Sequence, residues 1–486
     1  MLFNSYIFIF AFLPATFFIY FYLNKKRLTE AAKGFLVFSS LFFYSWWNIM
    51  YLPLILGSML FNYIVGESLA KKSEYWRVGR KSLLTVGIAA NVALLGYFKY
   101  ADFFIGNVNA AFGAQMPLLH LALPLAISFF TFQQIAYLVD SYRRETHEYD
   151  FLSYAVFVTF FPQLIAGPIV HHKEMMPQFA QARNKVLNYR NIALGLFIFS
   201  IGLFKKVVIA DTFATWATAG FDTAKTLNLF EAWATSLSYT FQLYFDFSGY
   251  TDMAIGAALL FNVKLPINFN SPYKATDIQD FWRRWHITLS RFLKDYIYIP
   301  LGGNRKGDYR TYSNLMMTFI IGGLWHGAGW TFVFWGFLHG AALVMHRAWK
   351  RLGFTMNRWV AWFITFNFIN IAWVFFRAKE WGDAIKVLSG MLGMNGVVLP
   401  GSLQGALHFL RAEHVNFGEW LFAIRGGFDT VAWLMAAFIV ILMFKNSNEK
   451  TAVFELNVKS ALFAAFLFSV SVLSLNKVSE FLYFNF

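Results

Sequence analysis

The chain has no cysteine. That removes a disulfide framework, a thiolate metal site and a cysteine nucleophile from consideration. Charge is also scarce: Asp, Glu, Lys and Arg make up 14% of the 486 residues, against roughly 25% in soluble domains. Acidic residues are the scarcer sign, 26 against 41 basic, which leaves a net charge of +15. A nucleic-acid binder would carry that excess on one soluble face. Here Lys and Arg sit in short loops between apolar runs, the pattern of positive-inside topology and contact with anionic lipid. No phosphate-binding loop, dinucleotide fingerprint or serine elbow is present. No group has the compact ligand spacing of a zinc or haem site. The absence of a visible internal repeat argues against a solenoid or an obviously duplicated transporter.

What is abundant is apolar side chain: 58% of the residues are hydrophobic and 21% are aromatic. Composition of this kind defines an all-α polytopic membrane protein, one integral domain over 1–486 with no soluble domain. The first apolar run, 1–23, is followed rather than preceded by Lys25, Lys26 and Arg27, which predicts a retained helix with its N-terminus outside. Basic loops at 24–34 and 70–82 share the cytoplasmic side, so the run between them crosses twice with a turn near 48–53. Residues 83–99 lead out to a loop at 101–117, and 118–139 return to Arg143 and Arg144. The run 151–170, broken at Pro162 and Gly167-Pro168, reads as re-entrant. Helices near 192–210 and 231–261 deliver the chain to a basic stretch, 264–310, read as cytoplasmic. Residues 311–346 read as a hairpin or re-entrant element with its apex near 327–329. Helices near 359–376, 430–444 and 460–476 leave an outer segment, 377–429, and an external C-terminus. The expectation is about ten crossings at ~20 residues each, plus two re-entrant elements.

Two histidines draw most of the chemical interest. In 280–299, Trp282, Trp285, Leu289, Phe292, Tyr296 and Ile299 step by three and four while Arg283, Arg284, Arg291, Lys294 and Asp295 take other faces. This predicts one in-plane amphipathic helix, ended by Pro300 and the basic turn 302–306. It either anchors to lipid headgroups or walls a cytoplasm-facing pocket for an anion such as a nucleotide phosphate. His286 borders its apolar stripe and reads as a packing residue or a catalyst. His326, in the Gly-rich apolar segment 322–330, is costly at membrane depth, which marks it as functional, and an imidazole can serve as a general base near neutral pH. Gln242, Asp246, Ser248 and Asp252 are further polar residues in apolar sequence. Asp246 and Asp252 point different ways on one helix and should pair with Arg or His on neighbours instead of forming a dyad. His339 and His346 share a face of the helix after His326.

The run QDFWRRWHITLSRFLKDYIYIPLGGNR, 279–305, followed by GGLWHGAG, 322–329, resembles the membrane-bound O-acyltransferase family. FPQLIAGP, VHHKEMMPQF and YFDFSGYTDM, at 161–168, 170–179 and 244–253, are similar to its bacterial branch, the alginate O-acetylase membrane subunit. The likeness runs to about residue 376. It implies a ring of helices around a funnel or tunnel, with His326 catalytic and His286 a second functional position. It also implies acetyl transfer, with acetyl-CoA as the donor substrate and no permanently bound cofactor or metal, toward an exported polysaccharide such as alginate. A periplasmic serine-hydrolase-type acetyltransferase and the exopolysaccharide export machinery would be partners. Arg283, Arg284, Arg305 and Lys306 suit the pyrophosphate of that donor. Other acceptors (teichoic acid, peptidoglycan, a protein) and, from a different class, an ion-relaying transporter remain alternatives.

Overall fold

The computed structural model describes residues 1–70, 79–145, 150–410, 415–475 and 482. Of the predicted loop cations, Lys71, Lys72 and Arg77 lie outside the described residues, as do 411–414 of the outer segment. Hydrocarbon offers backbone N–H and C=O groups no partner, so apolar segments satisfy themselves as helices. Apart from a parallel pairing of Val397–Pro400 with Val415–Gly418, the regular structure described is helical. Among the described residues, five helices are long and apolar enough to cross a membrane: Phe8–Lys25, Ile49–Ala70, Arg80–Phe112, Tyr189–Thr223 and Arg358–Arg377. Phe428–Met443 and Val458–Leu473 are shorter apolar helices. Large side chains such as Phe18, Phe104 and Phe363 are more than half exposed, a surface suited to lipid tails and not to water.

The chain divides into two compact units. The first comprises 1–204, 250–267 and 451–486. The turn expected near 48–53 is there, between Thr29–Ser45 and Leu52–Ala70. Asn62 and Asn91 exchange amide hydrogen bonds at 3.1 and 2.6 Å from two of its helices, polar glue of the kind used where apolar surfaces alone give no preference for one another. The broken segment is confirmed as broken: Phe151–Thr159 stops, Phe161–Leu164 adds one turn around Pro162, and 153–172 are buried throughout. The loop expected at 101–117 is a correction, since Ala101–Phe112 is helical and extends the preceding helix through a π-helical turn at Gly96–Tyr100. The apolar run 101–112 carries the helix on past Lys99.

The second unit, 205–249 and 268–450, holds every histidine of interest. Its contribution from the long helix Leu229–Leu260 is the part up to 249. One expectation changes here. The single amphipathic helix over 280–299 is instead broken: Ile278–Arg284 ends, His286 takes a left-handed conformation, Ile287–Leu293 starts a new helix, and Lys294–Tyr298 is π-helical. Of the hairpin and re-entrant alternatives for 311–346, the structure shows the hairpin, built of two full helices, Gly307–His326 and Trp330–Arg351. Their 20 and 22 residues give about 30 Å each at 1.5 Å per residue, because polar residues outside 311–346 are helical too. Its apex falls at 327–329 as expected. The two backbones approach closely at Gly323 and Gly336, where an added Cβ would stand 2.3 Å from the carbonyl oxygens of Phe332 and Phe319 respectively.

Candidate active site

Three buried histidines and a set of indoles form the chemical centre of this unit. His286 occupies the helix break with φ 44° and ψ 53°, a left-handed conformation costing about 1 kcal/mol for a residue with a Cβ. The segment 268–270 holds it there. Ile287 N–H donates to the Asn268 carbonyl at 3.0 Å, and Asn270 N–H donates to the Arg284 carbonyl at 2.9 Å. The break turns the imidazole fully into the protein, at 0% exposure.

Its tautomer follows from Asn268. The Asn268 Oδ1 accepts from Thr288 N–H at 3.2 Å and from Thr288 Oγ1 at 2.9 Å, and it lies 3.1 Å from His286 Nδ1. An oxygen that accepts from two donors leaves the His286 proton on Nδ1 and a lone pair on Nε2. Burial pushes the imidazole down to about 3, so it is neutral at physiological pH. It is a fixed hydrogen-bond acceptor and not a cation.

His326 is the last residue of Gly307–His326 and is 3% exposed. Its ring contacts Trp325 at 4.8 Å, Phe376 at 5.0 Å and Trp335 at 5.1 Å. Trp325 is also a neighbour of His286, at 6.2 Å, so one indole borders both predicted histidines. His339, fully buried on the second hairpin helix, stands 4.6 Å from Trp335, and Trp282 Nε1–H donates to its Nδ1 at 3.2 Å. Sequence reasoning gave His339 only a shared face, and it did not single out Asn268, Trp282 or Trp335 as functional. Asn268 lies 18 residues before His286 in a polar run that no motif marks. His346, predicted beside His339, turns to Asp277 at 3.4 Å.

The four predicted phosphate-binding cations separate. Arg283 lines a cavity of about 480 Å³ with Lys294, Arg347 and Lys350, and among the described residues no carboxylate lines it. Arg284 does not line it; its Nε reaches both Asp280 carboxylate oxygens at 2.9 Å and Nη1 reaches the Asn270 carbonyl at 3.3 Å. Arg305 and Lys306 are exposed beyond the neighbouring Asn304, which does line it. The sequence could not show that Arg347 and Lys350, on the far hairpin helix, would come round. Trp282 and Phe319 also line the cavity, and both stand against His339, at 5.2 and 6.4 Å.

Of the intramembrane carboxylates, Asp246 pairs with Lys206 at 2.6 Å, and Lys206 also meets Asp211 at 2.9 Å. Its expected partner was Arg or His; the cation is a lysine from the helical run 189–223. Asp252 belongs to the first unit and is 4% exposed.

An apolar helical protein with buried imidazoles beside an anion-attracting cavity is a membrane-embedded transferase. The membrane-bound O-acyltransferase family model matches residues 41–379, and the chain belongs to that family. Peptidoglycan O-acetyltransferase of Helicobacter pylori is 52% identical, over 100% of this chain and 98% of the relative. A probable alginate O-acetylase of Pseudomonas putida is 40% identical over 80% of each. A teichoic acid D-alanyltransferase of Streptococcus thermophilus is 27% identical over 52% of this chain and 68% of the relative. The chain is therefore a multi-pass membrane O-acetyltransferase of the bacterial alginate O-acetylase branch.

Proposed function

We propose that the chain takes acetyl from acetyl-CoA on the cytoplasmic side of the bacterial inner membrane and passes it outward for O-acetylation of a cell-surface glycan. The observation that carries this reading is the cavity with Arg283, Lys294, Arg347 and Lys350 in its wall. Four cations in one wall suit the phosphates of such a donor. From the cavity, ring contacts run inward through Trp282 to Trp335 at 5.8 Å and from Trp335 to His326 at 5.1 Å. His326 then acts as the general base. The acceptor hydroxyl gives its proton to the imidazole, its oxygen bonds to the acetyl carbonyl carbon, the carbon–sulfur bond breaks, and the leaving thiolate takes up the proton. His286 borders the same reaction space as a neutral acceptor.

Peptidoglycan is the acceptor favoured by the relative that matches the whole chain; an exported polysaccharide such as alginate is the second reading, supported by the alginate O-acetylases. In either case the glycan is the final acceptor: the hydroxyl acylated at His326 belongs to an intermediate carrier, from which a periplasmic serine-hydrolase-type acetyltransferase completes the transfer. This reading puts both termini and 377–429 in the periplasm and 264–310 in the cytoplasm. The test is glycan acetyl content in cells carrying wild type, His326→Ala or His286→Ala at matched membrane levels. Loss of acetyl from peptidoglycan with His326→Ala supports the reading, and full retention refutes a catalytic His326.

A further inference from the structure

Among the N–H donors of the ring cluster that are buried without an acceptor among the described residues are Nε2 of His339 and Nε1 of Trp335. The proton on His339 Nε2 is not a free choice. Trp282 Nε1–H occupies Nδ1 at 3.2 Å, which makes Nδ1 the lone pair and Nε2 the N–H of the neutral ring. Residue exposures are 0% for His339 and 1% for Trp335, so bulk water does not serve either group. Buried donors in native proteins almost always find an acceptor, and one that does not calls for an explanation. Here two such donors belong to rings 4.6 Å apart, and one of those rings also packs on His326.

The surroundings say what kind of acceptor fits. The rings about His339 are Trp282, Trp335, Trp373, Phe281, Phe319 and Phe368, and they supply no carboxylate or carbonyl acceptor to Nε2. Trp282 and Phe319 are shared with the wall of the basic cavity. Donors in a dry aromatic site are placed to stabilise negative charge that develops on an oxygen, with no solvent to reorganise.

We infer that Trp335 Nε1–H and His339 Nε2–H are the hydrogen-bond donors for the acyl carbonyl oxygen of the donor thioester. As the acceptor oxygen bonds to the carbonyl carbon, the C=O π pair moves onto that oxygen, which the two N–H groups stabilise. When the pair returns, the carbon–sulfur bond breaks and the thiolate departs. Trp282 is a positioning residue: by donating to Nδ1 it keeps the proton of His339 on Nε2. This inference rests on the proposed acyl transfer and adds the groups that bind the reacting oxygen.

The test uses the full-length protein purified in detergent with acetyl-CoA. Because the chain contains no cysteine, a thiol reagent reads released CoA without a protein background. Trp335→Phe removes the N–H and keeps an aromatic ring; it should lower kcat about 10²-fold, the effect of deleting one such donor. The donor KM should stay within about twofold, since the bond strengthens only as charge develops. His339→Leu should match it, and His339→Gln, which restores an N–H, should recover part of the loss. Unchanged kcat in Trp335→Phe overturns the inference even if the His339 variants do not fold. A loss confined to KM, or equal loss in His339→Gln and His339→Leu with normal melting, overturns it too. Wild-type thiol release persisting in His326→Ala would instead strike down the underlying acyl-transfer reading.

Discussion

Asn268 is the side chain on which the His286 geometry depends, and its removal is the sharpest test of that geometry. Its Oδ1 accepts from His286 Nδ1–H, Thr288 N–H and the Thr288 hydroxyl, and Asn268 is itself 1% exposed. In Asn268→Ala the hydroxyl can rotate to another acceptor, but the imidazole N–H and the backbone N–H are fixed and lose theirs. Each buried donor left unsatisfied costs about 1–3 kcal/mol, so the substitution should cost about 2–6 kcal/mol, less whatever a water entering the vacated space restores. The melting temperature of the detergent-solubilised protein should fall clearly, and acetyl transfer should fall with it because His286 Nε2 no longer presents a fixed lone pair. Asn268→Asp separates the two effects. The carboxylate still accepts from all three donors, yet it favours the imidazolium, so His286 should gain a proton on going from neutral to mildly acid pH. The sign is definite. The wild-type imidazole is depressed to about 3, so its contribution to stability is present above the ordinary histidine range and is lost as pH falls below it; in Asn268→Asp that acid loss should shrink. Melting of Asn268→Ala within about 0.5 kcal/mol of wild type, the range of an inconsequential substitution, would refute the tautomer argument and the anchoring role together.

Gly336→Ala places a methyl 2.3 Å from the Phe319 carbonyl oxygen; the backbones must separate, at about 1–3 kcal/mol for an overpacked site, and both melting temperature and transfer should drop. Normal values for both would show that the hairpin tolerates separation. Lys206→Met leaves Asp246 and Asp211 without their shared cation and should cost about 3–5 kcal/mol. Adding Asp246→Asn should recover part of that in a melting assay, and no recovery would mean the pair does not carry the effect. Arg283→Ala should raise the apparent donor KM more than it lowers kcat, whereas Arg305→Ala, exposed outside the cavity lining, should change neither; initial-rate kinetics against acetyl-CoA decide both.

Much of the helical layout was legible because hydrocarbon imposes one rule: long apolar runs must close their own backbone hydrogen bonds. The breaks at Pro162 and at 327–329 were equally legible, from a proline in an apolar run and from the Gly327-Ala328-Gly329 sequence. The helix break at His286 was not. Periodicity over 280–299 is unbroken, and the left-handed residue is stabilised by backbone pairing with 268–270, a segment that the sequence gives no reason to place alongside.

The same division runs through the site. Composition and the scarcity of charge established a membrane protein, and the two motifs that carry the family resemblance named His286 and His326. Which nitrogen of His286 bears the proton, which cations share a cavity with Arg283, and that His339 meets Trp282 and Trp335 were decided only when the hairpin helices packed. Sequence spacing fixes what lies on one helix face. Hydrogen-bond partners, burial and convergent charge depend on distances between segments far apart in the chain, and those exist only in the folded protein.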